Sequence, residues 1–178
     1  MKKLYTLLAL TITFSMNAQL SAYTEGGNTG QRLSTSFPSN HGDIGSNAVD
    51  LSYSDFSSTT KGATGTSSIA MGYQTTASGD YSVAMGRNTT ASGTNSTAMG
   101  YYTTASGTAS TAMGYLTTAS GSTSTAMGFR TTASDYASLV IGQYNSSGSS
   151  ATSASSFSTS APAFVIGNGT DSSNKSDA

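Results

Sequence analysis

Small apolar and hydroxyl-bearing positions alternate down the middle of this chain in a unit that repeats every fourteen residues without a slip. The dipeptide Met-Gly recurs at Met71-Gly72, Met85-Gly86, Met99-Gly100, Met113-Gly114 and Met127-Gly128, and once more as Ile141-Gly142. Between these sit Thr-Thr-Ala-Ser blocks at residues 75–78, 89–92, 103–106, 117–120 and 131–134. A strict short period means that each unit stacks on its neighbour and that none folds alone. Each unit holds two short strands. One is the Ser-Thr-Ala-Met stretch at 96–99, closed by Gly100. The other runs from Thr103 to Ser106, closed by Gly107. Glycines seven residues apart, as at Gly72, Gly79, Gly86 and Gly93, predict a turn at each half-unit. Stacked parallel strands about 4.8 Å apart give the array from 68 to 142 a rise of roughly 25 Å.

Strand alternation assigns faces. Ile69, Val83, Thr97, Thr111, Thr125 and Leu139 share parity with the Met column. Ala70, Ala84, Ala98, Ala112 and Ala126 point the other way. Neither side of this strand carries charge, so one side lines the coil and the other meets a neighbouring chain. Parity does not say which is which. The second strand reads as a solvated outer wall of Ser and Thr with one inward column, Ala77, Ala91, Ala105, Ala119 and Ala133.

Composition sharpens this picture. Only 8% of the 178 residues are charged, 20 are Gly, and hydrophobic residues make up 35%, many of them Ala. Burial stabilises by about 25 cal/mol per Å², and Ala offers little area, so one copy has a thin core. Several chains packing together, with the Met column as the main apolar contribution, would supply the rest. A net charge of −1 gives no basic footprint for nucleic acid, and no Lys/Arg run marks a membrane surface. The absence of Cys removes disulfides and thiolate metal sites.

The unit is flanked by other material. Lys2 and Lys3, the apolar stretch from Leu4 to Phe14, and Met16-Asn17-Ala18 before Gln19 read as a secretory signal peptide over 1–18. Residues 19–56, broken by Gly26-Gly27, Gly30, Pro38, Gly42 and Gly45, read as an N-terminal cap or an irregular segment. The repeat array covers 57–142, beginning with a degraded unit and closing on the more apolar Leu139-Val140-Ile141. A Ser-rich linker spans 143–161, and 162–178 reads as the start of a further β segment. Its strand, Phe164-Val165-Ile166, has no partner after it, which predicts a longer natural protein.

The stretch Ser82-Val83-Ala84-Met85-Gly86-Arg87-Asn88-Thr89-Thr90-Ala91-Ser92-Gly93 resembles the head repeat of YadA-like trimeric autotransporter adhesins. The resemblance covers about residues 57–142, with Met replacing the family's Ile in five of six units and Thr75 and its equivalents replacing an Ala. It implies an all-β, left-handed parallel β-roll, a homotrimer, and attachment to a host or matrix surface ligand from the cell surface or outer membrane, or as a secreted protein. No heptad stalk and no alternating ten-residue anchor strands accompany the repeats, so no direct membrane contact is expected within this chain.

Recognition is expected at the variable pair after each Met-Gly: Tyr73-Gln74, Arg87-Asn88, Tyr101-Tyr102, Tyr115-Leu116 and Phe129-Arg130. These large residues differ between units while the scaffold stays constant. Tyr and Arg are the types that anchor interfaces, although the same column also suits trimer packing. The paired Thr columns are a second candidate, for ordering water on an ice-binding face, against ordinary β-propensity. His41, with Asp43 and Asp50 nearby, reads as a surface residue of the cap. No catalytic elbow, phosphate loop, metal-ligand spacing or calcium repeat is present, so no enzyme, cofactor or metal is expected. The alternatives to an adhesin head are a phage-type or secreted fibre segment, and a fibre domain carrying an enzyme beyond Ala178.

Overall fold

A computed structural model describes residues 20–146 and 153–178, so the signal-peptide reading of 1–18 and part of the Ser-rich linker lie outside the described residues. An antiparallel hairpin, β1 (Leu20–Glu25) and β2 (Asn28–Leu33), comes first. A single 3-10 turn, Pro38–Asn40, and β3 (Val49–Tyr53) follow. The array then alternates two kinds of strand. Two-residue strands are β4 (Gly62–Ala63), β6 (Thr76–Ala77), β8 (Thr90–Ala91), β10 (Thr104–Ala105), β12 (Thr118–Ala119) and β14 (Thr132–Ala133). Five-residue strands are β5 (Ile69–Tyr73), β7 (Val83–Arg87), β9 (Thr97–Tyr101), β11 (Thr111–Tyr115), β13 (Thr125–Phe129) and β15 (Leu139–Gln143). The last strand is β16 (Phe164–Asn168).

These form an all-β parallel solenoid. The long strands make a ten-stranded sheet in the order β1-β2-β3-β5-β7-β9-β11-β13-β15-β16, and the short ones make a six-stranded sheet. Register follows the repeat: Met99 pairs with Met113, Gly100 with Gly114 and Tyr101 with Tyr115. Strand β16 continues that register at a wider spacing in sequence, with Ile141 opposite Ile166 and Gly142 opposite Gly167.

The question of faces is settled by burial. The Ala70-type and Ala77-type columns, continued by Val140, form one contiguous core, together with Ile44, Ala48 and Ala63 at the N-terminal end. The Met column points outward; Met71 and Met127 are 37% and 36% exposed. Alanine lines the lumen, with buried Thr and Ser beside it.

Three sequence expectations need correction. The second strand is not a solvated wall, because Thr75, Thr89, Thr103, Thr117 and Thr131 are fully buried beside the Ala columns. Only the second Thr of each pair reaches the outside, and even Thr76 is buried. Two adjacent residues of a strand cannot share a face, so the paired-hydroxyl face imagined for ice does not form.

Gly100 does not close its strand either. The strand runs through Gly100 to Tyr101, and the chain turns at Tyr102, whose φ is 53°. The turns themselves are made by non-glycine residues in the left-handed region, such as Tyr81, Asn95, Leu116 and Arg130. Glycine is needed for close approach. At Gly107 a Cβ would run into the carbonyl of Gly121 one coil away, and at Gly100, with φ +123°, into that of Gly114.

Candidate functional site

The long strand presents three outward residues per coil, for example Thr97, Met99 and Tyr101, because alternate side chains share a face. Tyr101 therefore lies about 7 Å along the strand from Met99. Parallel stacking in register aligns the third position into a column: Tyr53, Tyr73, Arg87, Tyr101, Tyr115 and Phe129.

The column is a continuous stack. Tyr101 and Tyr115 have ring centroids 5.1 Å apart at 23°, and Tyr115 and Phe129 5.0 Å apart at 12°. Arg87 replaces one ring, its guanidinium 5.3 Å from the Tyr73 centroid and 5.4 Å from that of Tyr101. Tyr53 extends the stack beyond Tyr73 at 6.1 Å. Each aromatic pair is worth about 0.5–1.5 kcal/mol beyond area burial, and each exposed cation–π contact about 0.5–1 kcal/mol. The ladder thus stiffens the roll while facing outward.

The second variable position forms a parallel column at the corners: Gln74, Asn88, Tyr102, Leu116, Arg130 and Tyr144, with φ between 43° and 55°. A left-handed conformation costs a non-glycine residue roughly 1–2 kcal/mol, yet none of these corners is glycine. Tyr102 sets its ring edge-on to Tyr101 at 4.6 Å. Arg130 lies 5.9 Å from the Phe129 centroid and 5.8 Å from that of Tyr144. All eight residues expected to face a ligand, Tyr73, Arg87, Tyr101, Tyr102, Tyr115, Leu116, Phe129 and Arg130, therefore fall in these two adjacent columns.

Tyr53 and Tyr144 complete the ladder and were not singled out in the sequence. Tyr144 sits fourteen residues after Arg130, so the period itself marks it. Tyr53 lies twenty residues before Tyr73, because its coil carries extra chain, and the period gives no signal there. At this end Asp55 accepts hydrogen bonds from the Tyr73 hydroxyl at 2.9 Å and from Gln74 Nε2 at 2.8 Å. The bond to Asp55 pushes the Tyr73 hydroxyl above its ordinary value.

His41 is not a surface residue. It is 6% exposed, and its Nδ1 lies 3.0 Å from Asp50 Oδ2. Asp50, fully buried, also accepts from Ser52 Oγ at 2.6 Å and from Arg32 Nε at 3.2 Å. Arg32 reaches Glu25 at 3.0 Å and the Gly42 carbonyl at 2.9 Å. Burial raises the Asp50 carboxyl, but the hydrogen bonds from His41 and Ser52 outweigh it and hold it below its ordinary value. Ser, His and Asp meet here, but both Ser52 and His41 point at the carboxylate and Ser52 is 1% exposed, so the arrangement offers no accessible nucleophile. The cluster welds the hairpin to the first coil, since β2 pairs with β3 over only two residues. Among the described residues no group of three or more His, Asp or Glu is placed to hold a metal ion, and no helix is long and apolar enough to cross a membrane.

Comparison with curated proteins gives no match. A family model described as the YadA head domain repeat matches residues 63–89, 91–117 and 119–145 in succession. The matches begin at Ala63 in β4 and end just past β15, so they cover the regular coils and the ladder from Tyr73 to Tyr144. Over residues 63–145 the fourteen-residue period, the in-register Gly column and the alanine lumen coincide with the match to the YadA head domain repeat.

Proposed function

We propose that this chain is the head of an exported adhesin that works as a homotrimer and attaches to a host or matrix surface through its outward ladder. The observation that carries this reading is the outer face of the ten-stranded sheet. Ile69, Met71, Met127 and Leu139 are each 36–37% exposed there, in register with half-buried Val83, Met85, Met99, Met113 and Ile141. An apolar stripe of this length on a thin alanine core marks a surface meant to be covered. Three copies burying their Met columns on a common axis would cover it.

The ladder, two residues along from the Met column, would then run beside the subunit junction. Three ladders presented at fixed spacing raise avidity over weak single contacts. The basic and apolar residues at the N-terminus and the head-repeat match support export and surface display.

The test is adhesion of beads coated with the protein. Replacing Tyr101, Tyr115 and Phe129 together with Ser is expected to reduce attachment to matrix-coated surfaces by at least tenfold while leaving the oligomer mass unchanged. Undiminished attachment by a folded triple variant would remove the ladder from the mechanism.

A further inference from the structure

Stacked planes cover one another's faces and leave their edges to solvent. Between Tyr101 and Phe129 the interplanar angles of 23° and 12° set the rings face to face. The Arg87 guanidinium is enclosed in the same way between Tyr73 and Tyr101. A ligand that packs flat on an aromatic face, such as a neutral sugar ring, finds no such face there. It meets ring edges, the positive part of the aromatic quadrupole, together with phenol hydroxyls and guanidinium N–H donors. Edge-on presentation therefore selects for acceptors and negative charge.

The charged groups along the ladder are placed accordingly. Arg87 and Arg130 are exposed, and neither takes part in an ion pair among the described residues. At the C-terminal end of the ladder a cleft of about 220 Å³ is lined by Leu116, Arg130, Thr132, Tyr144, Ser172 and Lys175, two cations and three hydroxyls. The carboxylate of Asp171 is engaged in its own turn by Ser173 N, Asn174 N and Asn174 Nδ2. Asp177 accepts from Ser146 N. At the opposite end Asp55 is taken up by Tyr73 and Gln74.

We propose that the ladder and its C-terminal cleft bind an acidic polysaccharide, whose sulfate or carboxylate groups meet Arg87 and Arg130 while the chain runs along the ring edges. The proposal rests on the ladder being the adhesive face and names its ligand. Spacing favours a polysaccharide over an acidic peptide. The rungs repeat at 5.0–5.1 Å, close to the length of one sugar ring, whereas an extended peptide repeats a side-chain face every ~6.6 Å and loses register within a few rungs.

Binding of the full chain to dextran sulfate, to unsulfated dextran and to polyglutamate, measured by biolayer interferometry, tests this. Dextran sulfate is expected to bind, unsulfated dextran not, and polyglutamate at least tenfold more weakly than dextran sulfate. Raising salt from ~0.1 M to ~1 M, which shortens the screening length from about 10 Å to about 3 Å, should weaken the complex. The R87Q/R130Q double variant should lose about tenfold or more, as charge-assisted contacts do, while Lys61→Gln, off the ladder, should lose none. Equal binding of dextran and dextran sulfate, equal binding of polyglutamate, or an unaffected R87Q/R130Q variant would overturn the proposal. If the ladder's serine variants abolish bead adhesion but dextran sulfate does not bind, the ladder stands as the adhesive face and only its ligand class is wrong.

Discussion

The smallest decisions in this molecule are made by side-chain size. Gly107 lies under the carbonyl of the next coil, where a single Cβ would collide, and Ala105 is fully buried in the lumen. Thr103 shows where size and polarity conflict. Its side chain is fully buried, and its hydroxyl, like those of Thr75, Thr89, Thr117 and Thr131, has no hydrogen-bond partner. A buried unpaired hydroxyl costs about 1–3 kcal/mol, and replacing it by an apolar group of the same shape removes that cost. Thr103→Val is therefore expected to raise stability by about 1 kcal/mol, read as a higher midpoint in urea. A loss of stability would mean that the hydroxyl is satisfied in solution. The Thr pair was visible in the sequence, although the strand as a whole read as a solvated wall. Alternation required one of them to be interior, and only the position of the second sheet decided which.

At the scale of elements, each five-residue strand from β5 to β15 ends where a left-handed corner begins, and those corners carry Gln74, Asn88, Tyr102, Leu116, Arg130 and Tyr144. Tyr101 continues the strand and joins the stack, while Tyr102 makes the turn and folds back against it. The N-terminal hairpin pairs with β3 over only two residues and is held further by the buried ionic cluster and by hydrogen bonds to residues 44–48. The Asp50 carboxyl, held below its ordinary value of 3.8, contributes stability that is fully present above that value and is lost as pH falls through its lower folded value. Removing one partner of a buried charge pair costs about 3–5 kcal/mol. Asp50→Asn is accordingly expected to lower the thermal midpoint at pH 7, and the gap from the wild type should narrow below about pH 4. A gap that stays constant into strong acid would assign the loss to packing. Little of this joint was legible beforehand. His41 had its partners at irregular spacings, and the chain brings them together only through the hairpin and β3.

For the whole molecule the balance lies between a thin core and a long apolar outside. The lumen is alanine, so a single roll buries little area per residue, while the Met column stands exposed along one sheet. Sedimentation of residues 19–178 is expected to give about three times the mass of one chain. Met99→Asp together with Met113→Asp should give single chains of lower thermal midpoint, because a charge on the common axis would be buried without a partner. A stable wild-type monomer would remove the trimer from the proposed function.

Repetition is what the sequence by itself determined. A period of fourteen with Gly and Ala in constant places requires stacked coils, parallel strands and an aligned column of whatever follows Met-Gly, since identical units can bury identical faces only against each other. It even placed the eight candidate ligand-facing residues in adjacent columns. Which face is the lumen was decided only by tertiary structure, because both faces of the long strand are uncharged and parity is blind to the position of the second sheet. The same holds for the buried cluster around Asp50, whose members come from segments outside the period. It holds as well for the edge-on stacking of the ladder, which depends on how neighbouring coils press the rings together.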